Sequence, residues 1–307
     1  MKLPSLLLAV LAASLLAVGV AAPRLNFSPS APSSSSSSDL RLSQRLEDAG
    51  WRLVEGLDPG PARRLSPPAS LIGGGAALPE SPSWFALIRA IHPPSARLPM
   101  ESRSECGGTL YRGGIVVTAA HCLAEDWTRV EVLIQPEGRE HGRALWSLGL
   151  AALDAEFEPD GAGLHRHDRA VLQLPEDPGG GLELPQSARA QISVGETLTI
   201  FGMGLDEEGR LAESVRTCRQ RVTDVRLGVF EALGDLCRFR DADSGGLAAR
   251  LLPQGEAVPV GIVSHRLQGA EERQFYAPLH PTRIRAASAA FADPPPPEPL
   301  ADFRRRP

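Results

Sequence analysis

Downstream of Pro82 the apolar side chains fall into short runs, each closed soon after by glycine, proline or charged residues. The runs are Phe85-Ala86-Leu87-Ile88, Ile115 to Thr118, Val130 to Ile134, Ala170 to Leu174, Thr197 to Ile200 and Val258 to Val263. They are rich in β-branched side chains and too short for helices, so each predicts a strand. Short strands with frequent turn signals predict an all-β sandwich or barrels. Two segments carry helical spacing instead. Over residues 39–57, Leu40, Leu42, Leu46, Ala49, Leu53 and Val54 recur at partly helical intervals, with Asp39 placed to cap and Gly50 interrupting. Near the C-terminus, Thr282 to Phe291 sets Ile284, Ala287 and Phe291 on one helical face.

The 30 glycines and 28 prolines suit many short strands better than a helical bundle. A net charge of −5 gives no strong field, so no nucleic-acid partner is expected. Met1-Lys2 precedes an apolar run from Leu6 to Val20 and the small residues Gly19 to Ala22. Residues 1–22 therefore read as a secretory signal peptide; an uncleaved anchor is the competing reading, against which the run is shorter than the ~20 residues a spanning helix needs. The expected destination is secreted or periplasmic, with no membrane association after cleavage. Residues 23–70 read as a Pro/Ser-rich linker, with a serine run from Ser33 to Ser38 and a short propeptide helix or marginal linker helix within it. Residues 292–307, with Pro294 to Pro297 and Arg304 to Arg306, read as a disordered tail. Four cysteines permit three pairings, and export makes disulfides permissible.

Chemistry concentrates in three places. Thr118-Ala119-Ala120-His121-Cys122 puts a histidine at the end of a strand-like run, and Asp243-Ser244-Gly245-Gly246 puts a serine at a glycine turn. A serine hydroxyl is a poor nucleophile unless a base takes its proton as it attacks. Histidine is the usual base, and a carboxylate must hold its tautomer. Asp168, 47 residues after His121, is the candidate, with Asp154 and Asp160 as competitors. The plainer alternatives are a packed core histidine and a serine in an ordinary turn. His165 and His167, two apart on a strand, would share a face and could chelate zinc. No further ligands are apparent, so neither a metal nor a cofactor is expected.

These segments, in the order His, Asp, Ser, resemble the trypsin/chymotrypsin family of serine proteases over residues 71–291. Further likeness lies in Cys106-Gly107-Gly108-Thr109-Leu110, Asp168-Arg169-Ala170-Val171-Leu172, Gly202-Met203-Gly204 and Gly261-Ile262-Val263-Ser264. Leu71-Ile72-Gly73-Gly74 followed by Pro82-Ser83-Trp84-Phe85 is similar to a mature N-terminus and first strand. The resemblance implies two six-stranded antiparallel barrels, a C-terminal helix and an active site in the cleft between the barrels. It implies a monomer that hydrolyses proteins or peptides through Ser244, His121 and Asp168. Ser264 would support Asp168, and the N–H groups of Ala242 and Ser244 would form the oxyanion hole. It also implies a Cys106–Cys122 disulfide, which leaves Cys218 with Cys237. Three departures follow from the same likeness. Ala242 stands where glycine is usual and would be strained at positive φ. Ser70, not a basic residue, precedes the candidate new amine on Leu71, whose partner would be Asp243. The pocket residues Arg238, His265 and Gln274 differ from a trypsin-like set. An inactive homologue that binds proteins is therefore the alternative reading.

Overall fold

Strand ladders dominate the structure, a computed structural model that describes residues 37–54, 63–65, 76–78, 82–94, 100–124, 127, 129–134, 143–147, 150–159, 165–204, 211–212, 214–234, 242–267 and 273–292. The described residues open with helix α1 (Ser37–Asp48) and three short strands, β1 (Trp51–Leu53), β2 (Arg63–Leu65) and β3 (Ala76–Ala77). Then come β4 (Phe85–His92), β5 (Ser102–Tyr111), β6 (Ile115–Thr118), β7 (Arg129–Ile134), β8 (Arg143–Ser147) and β9 (Leu150–Asp154). The pair β10 (Glu158–Pro159) and β11 (His165–Arg166) precedes β12 (Ala170–Gln173). The second half holds β13 (Thr197–Gly202), β14 (Arg216–Arg226), β15 (Val229–Leu233), β16 (Leu247–Leu251), β17 (Ala257–Leu267), β18 (Arg273–Pro278) and helix α2 (Pro281–Ala292).

Among the described residues the first sheet runs β1-β9-β12-β6-β5-β4-β7-β8-β2 and the second β13-β16-β17-β18-β15-β14-β3. β13 also pairs with β14, which closes six strands of the second sheet into a barrel. The chymotrypsin-like double-barrel architecture and the C-terminal helix are thus as expected. The first sheet is larger than expected: β1 and β2, from the stretch read as linker, extend its two ends. Helical spacing does not persist through residues 39–57. Gly50, at φ 79°, ends α1, and the chain turns into β1. Asp39 falls inside the helix rather than at its cap.

The apolar runs are buried because each lies between two neighbours. β6, between β5 and β12, buries Ile115, Val116, Val117 and Thr118 almost completely. Thr118 is tolerated there because its hydroxyl donates to the Gly107 carbonyl at 2.7 Å. The second barrel packs Leu198, Ile200, Val222, Phe230, Val260 and Val263 inward. The two sheets meet tightly at one point: the Gly107 N–H of β5 donates to the Ser244 carbonyl at 2.6 Å. A Cβ on Gly245 would lie 2.0 Å from the Gly107 carbonyl oxygen, and one on Gly107 would lie 2.9 Å from the Gly246 nitrogen. Only glycines allow this approach, and Gly245 also needs its φ of 83°.

Candidate active site

His121 lies in a single 3-10 turn, Ala120–Leu123, directly after β6. The turn starts from a strand buried on both faces, and Cys122 within it is bonded to Cys106 of β5. The imidazole is therefore tied at both ends of a short segment, with its side chain 26% exposed. Cys218 is also disulfide-bonded; its expected partner Cys237 lies outside the described residues.

Asp168 is fully buried at the entry to β12. Its Oδ1 accepts the His121 backbone N–H at 2.8 Å. Its Oδ2 lies 2.7 Å from His121 Nδ1 and accepts the Ser264 hydroxyl at 2.5 Å. Burial pushes the carboxyl up, but the His121 imidazole, its ring hydrogen bond, the Ser264 hydroxyl and the His121 amide outweigh it and hold the group at about 2. An ionised carboxylate at Nδ1 fixes the ring proton there and leaves Nε2 as the basic nitrogen. Ser264 acts at both ends, since its carbonyl accepts the Ser244 hydroxyl at 3.1 Å.

The Ser244 turn is held by a second acid. Gly204 N–H donates to Asp243 Oδ1 at 2.7 Å. A Cβ on Gly202 or Gly204 would come within 2.2 or 2.4 Å of the Asp243 carboxylate oxygens. Gly202-Met203-Gly204 is thus the cradle for Asp243. Leu71, the expected partner of Asp243, lies outside the described residues. Ala242 adopts φ 71°, in the left-handed region, and is buried.

Of the pocket residues, Arg238 lies outside the described residues. His265 stacks on Phe275 at 4.9 Å, and its Nδ1 lies 2.9 Å from the Ser264 hydroxyl. Gln274 is buried in the second barrel, where its amide oxygen accepts from Gln220 at 2.6 Å, and Gln220 in turn accepts the Tyr276 hydroxyl.

Asp160 lies outside the described residues, and Asp154 is engaged elsewhere. Buried Arg169 donates to Asp154 through Nε at 2.8 Å, and Arg283 reaches it at 2.9 Å. His165 and His167 turn to different partners. The His165 ring stacks on His121 at 5.2 Å, whereas His167 Nδ1 lies 3.2 Å from both Glu156 and Arg169. Asp154, Glu156 and His167 bring ligand-type atoms within 4.8 Å of one another. The two guanidiniums already on Asp154 make that cluster a poor cation site. The stacking of His165 on His121 and the burial of Arg169 were not read from the sequence. For Arg169 a signal existed: a charged residue flush against an apolar run beside Asp168.

Trypsin iota of Drosophila melanogaster is 29% identical over 168 residues, which cover 54% of this chain and 62% of that protein. Granzyme M of Homo sapiens is 28% identical over 163 residues, 51% of this chain and 58% of that protein. The chain therefore spans about three fifths of the length of these curated relatives. A solved structure described as "Structure of GrC" has TM-score 0.53 at 19% identity over 68% of this chain and 94% of its own, a likeness of fold. The family model described as Trypsin matches residues 89–283. Because that match covers more than half of the chain, running from β4 through the aspartate and serine segments into α2, the chain belongs to the trypsin family.

Proposed function

We propose that the protein is an exported serine endopeptidase that cleaves proteins or peptides through a Ser244 acyl-enzyme. One observation carries the reading: Asp168 is held on both oxygens by His121 and Ser264, while the same Ser264 holds the Ser244 hydroxyl. In the first step the hydroxyl turns from the Ser264 carbonyl toward His121 Nε2 and attacks the scissile carbonyl. His121 takes the proton, and the Asp168 carboxylate stabilises the imidazolium. The N–H groups of Ala242 and Ser244 receive the developing oxyanion, an interaction that contributes about 10²–10³-fold per donor. His121 then protonates the leaving amine, and a water activated by the same ring releases the acid. Residues 1–22 direct export as a signal peptide, and a cut before Leu71 supplies an amine for Asp243.

Purified protein should label covalently at Ser244 with a fluorophosphonate, and Ser244→Ala should abolish both labelling and casein hydrolysis. Folded, processed protein that never labels would remove this reading. The second reading, a non-catalytic homologue that binds proteins, draws on Ala242 at φ 71° within the expected oxyanion loop. It requires wild type and Ser244→Ala to hydrolyse casein at the same background rate.

A further inference from the structure

We propose that residues 37–54 are a permanent arm of the folded protein, one that stays bound without a covalent link when the chain is cut between Val54 and Ala76. The stretch lies upstream of the candidate mature N-terminus, where a released propeptide would be expected. Its contacts are those of a core element. Leu46 of α1 and Trp51 of β1 are both 0% exposed, and both join the apolar cluster that includes Ile284, Ala287 and Ala290 of α2. β1 pairs with β9 in the register Trp51–Asp154, Arg52–Leu153 and Leu53–Ala152, and Val54 N–H continues the ladder to the Ala151 carbonyl at 2.8 Å.

Polar contacts fix the same docking. Trp51 Nε1 donates to the Arg283 carbonyl at 3.0 Å, and Arg45 donates to the Ala290 carbonyl at 3.1 Å. The Gly50 carbonyl accepts the Ala155 N–H at 3.1 Å and a bond from the Arg283 guanidinium. Gly50 suits this turn by its φ of 79°, and a Cβ there would sit 2.5 Å from Arg283 Nη2, so the guanidinium would have to shift. Departure of the arm would bare the apolar face of α2, leave the Trp51 site empty and strip the edge of β9. All four cysteines lie at Cys106 or beyond, so no disulfide can tether an arm once the chain is cut. Only the noncovalent contacts hold it.

The arm also reaches the back of the candidate site. Arg283, which it clasps, bonds Asp154, and Asp154 bonds Arg169, the neighbour of Asp168. Retention of the arm is thus part of the same framework that carries Asp168. Binding of the arm does not depend on whether Ser244 is a nucleophile.

The test uses the full chain with a site for a sequence-specific protease inserted between Val54 and Arg63. After complete cutting, gel filtration at micromolar protein should keep the arm with the remainder, while denaturant separates the two. Trp51→Ala should weaken retention about a hundredfold or more, and Leu46→Asp, on α1 rather than the sheet, should do the same. If either variant fails to fold, exchange against excess labelled peptide 37–54 on the cut wild type measures the same affinity. Spontaneous loss of the arm from a folded remainder overturns the proposal. An arm that stays on protein that never labels at Ser244 upholds it while removing the endopeptidase reading.

Discussion

Alanine at position 242 carries a conformational cost that glycine would not. Its φ of 71° lies where a Cβ is crowded, at about 1–3 kcal/mol for a non-glycine residue. Ala242→Gly should therefore raise stability by about 1 kcal/mol and the melting temperature by a few degrees, without lowering Ser244 labelling. A lower melting temperature would mean that the alanine methyl contributes more by packing than it costs in strain. Asp168 makes a different prediction. Its carboxyl is held at about 2, below its ordinary value of 3.8. The stability it contributes is thus fully present above pH 3.8 and is lost as pH falls toward 2, a difference of roughly 2 kcal/mol. Urea midpoints measured from pH 5 to pH 2 should show that loss in wild type and a flatter slope in Asp168→Asn. The same variant should slow labelling of Ser244 by about 10⁴-fold. His121, Asp168 and Ser244 stand out in the sequence because the first two adjoin apolar strand-like runs and the third a glycine turn, whereas the place of Ser264 comes only from the family resemblance. Arg169 was not, since arginine is ordinarily exposed and only a partner as remote as Asp154 makes its burial tolerable.

Strands and turns carry the next constraint, the docking of the Ser244 turn on β5. Gly245 has φ 83° and faces the Gly107 carbonyl oxygen, with room for no Cβ, whereas Gly255 has φ 87° and nothing within 4 Å. Both substitutions to alanine meet the same left-handed backbone, but only one also meets a steric wall. Gly255→Ala should cost about 1 kcal/mol and Gly245→Ala on the order of 3 kcal/mol or more, read from denaturant midpoints. Equal losses would show that the two sheets yield easily at this contact. Elements buried on both sides, such as β6 and β12, announce themselves as apolar runs. β14 does not: of Arg216–Arg226 only Gln220 and Val222 are buried, and charged residues alternate along the rest. β1 is three residues long, too short for any periodicity, and its burial depends on an α2 surface more than two hundred residues away.

Distant parts of the chain are joined by one buried ionic knot. Asp154 closes β9, Arg169 follows Asp168, and Arg283 belongs to α2; Arg169 also donates to the Pro278 carbonyl at the end of β18, at 2.8 Å. Asp154 and Arg169 are both 0% exposed, so each carries a large desolvation cost that their pairing offsets, with help from Arg283 on Asp154 and from the Pro278 carbonyl on Arg169. Removing one partner alone should then be far worse than replacing both. Arg169→Met should destabilise by about 3–5 kcal/mol, and so should Asp154→Leu. The double variant should lose clearly less than the sum, because neither leaves a buried charge behind and Arg283 keeps its bond to Glu156 at 3.1 Å. Strict additivity in denaturant unfolding would mean that water reaches this pair and that the knot is not what joins the two sheets to α2. The catalytic readout separates bracing from mere stability. If the knot holds the backbone of Asp168, Ser244 labelling in the double variant should fall severalfold even where the protein is fully folded, and it should stay at the wild-type rate if the knot only adds stability.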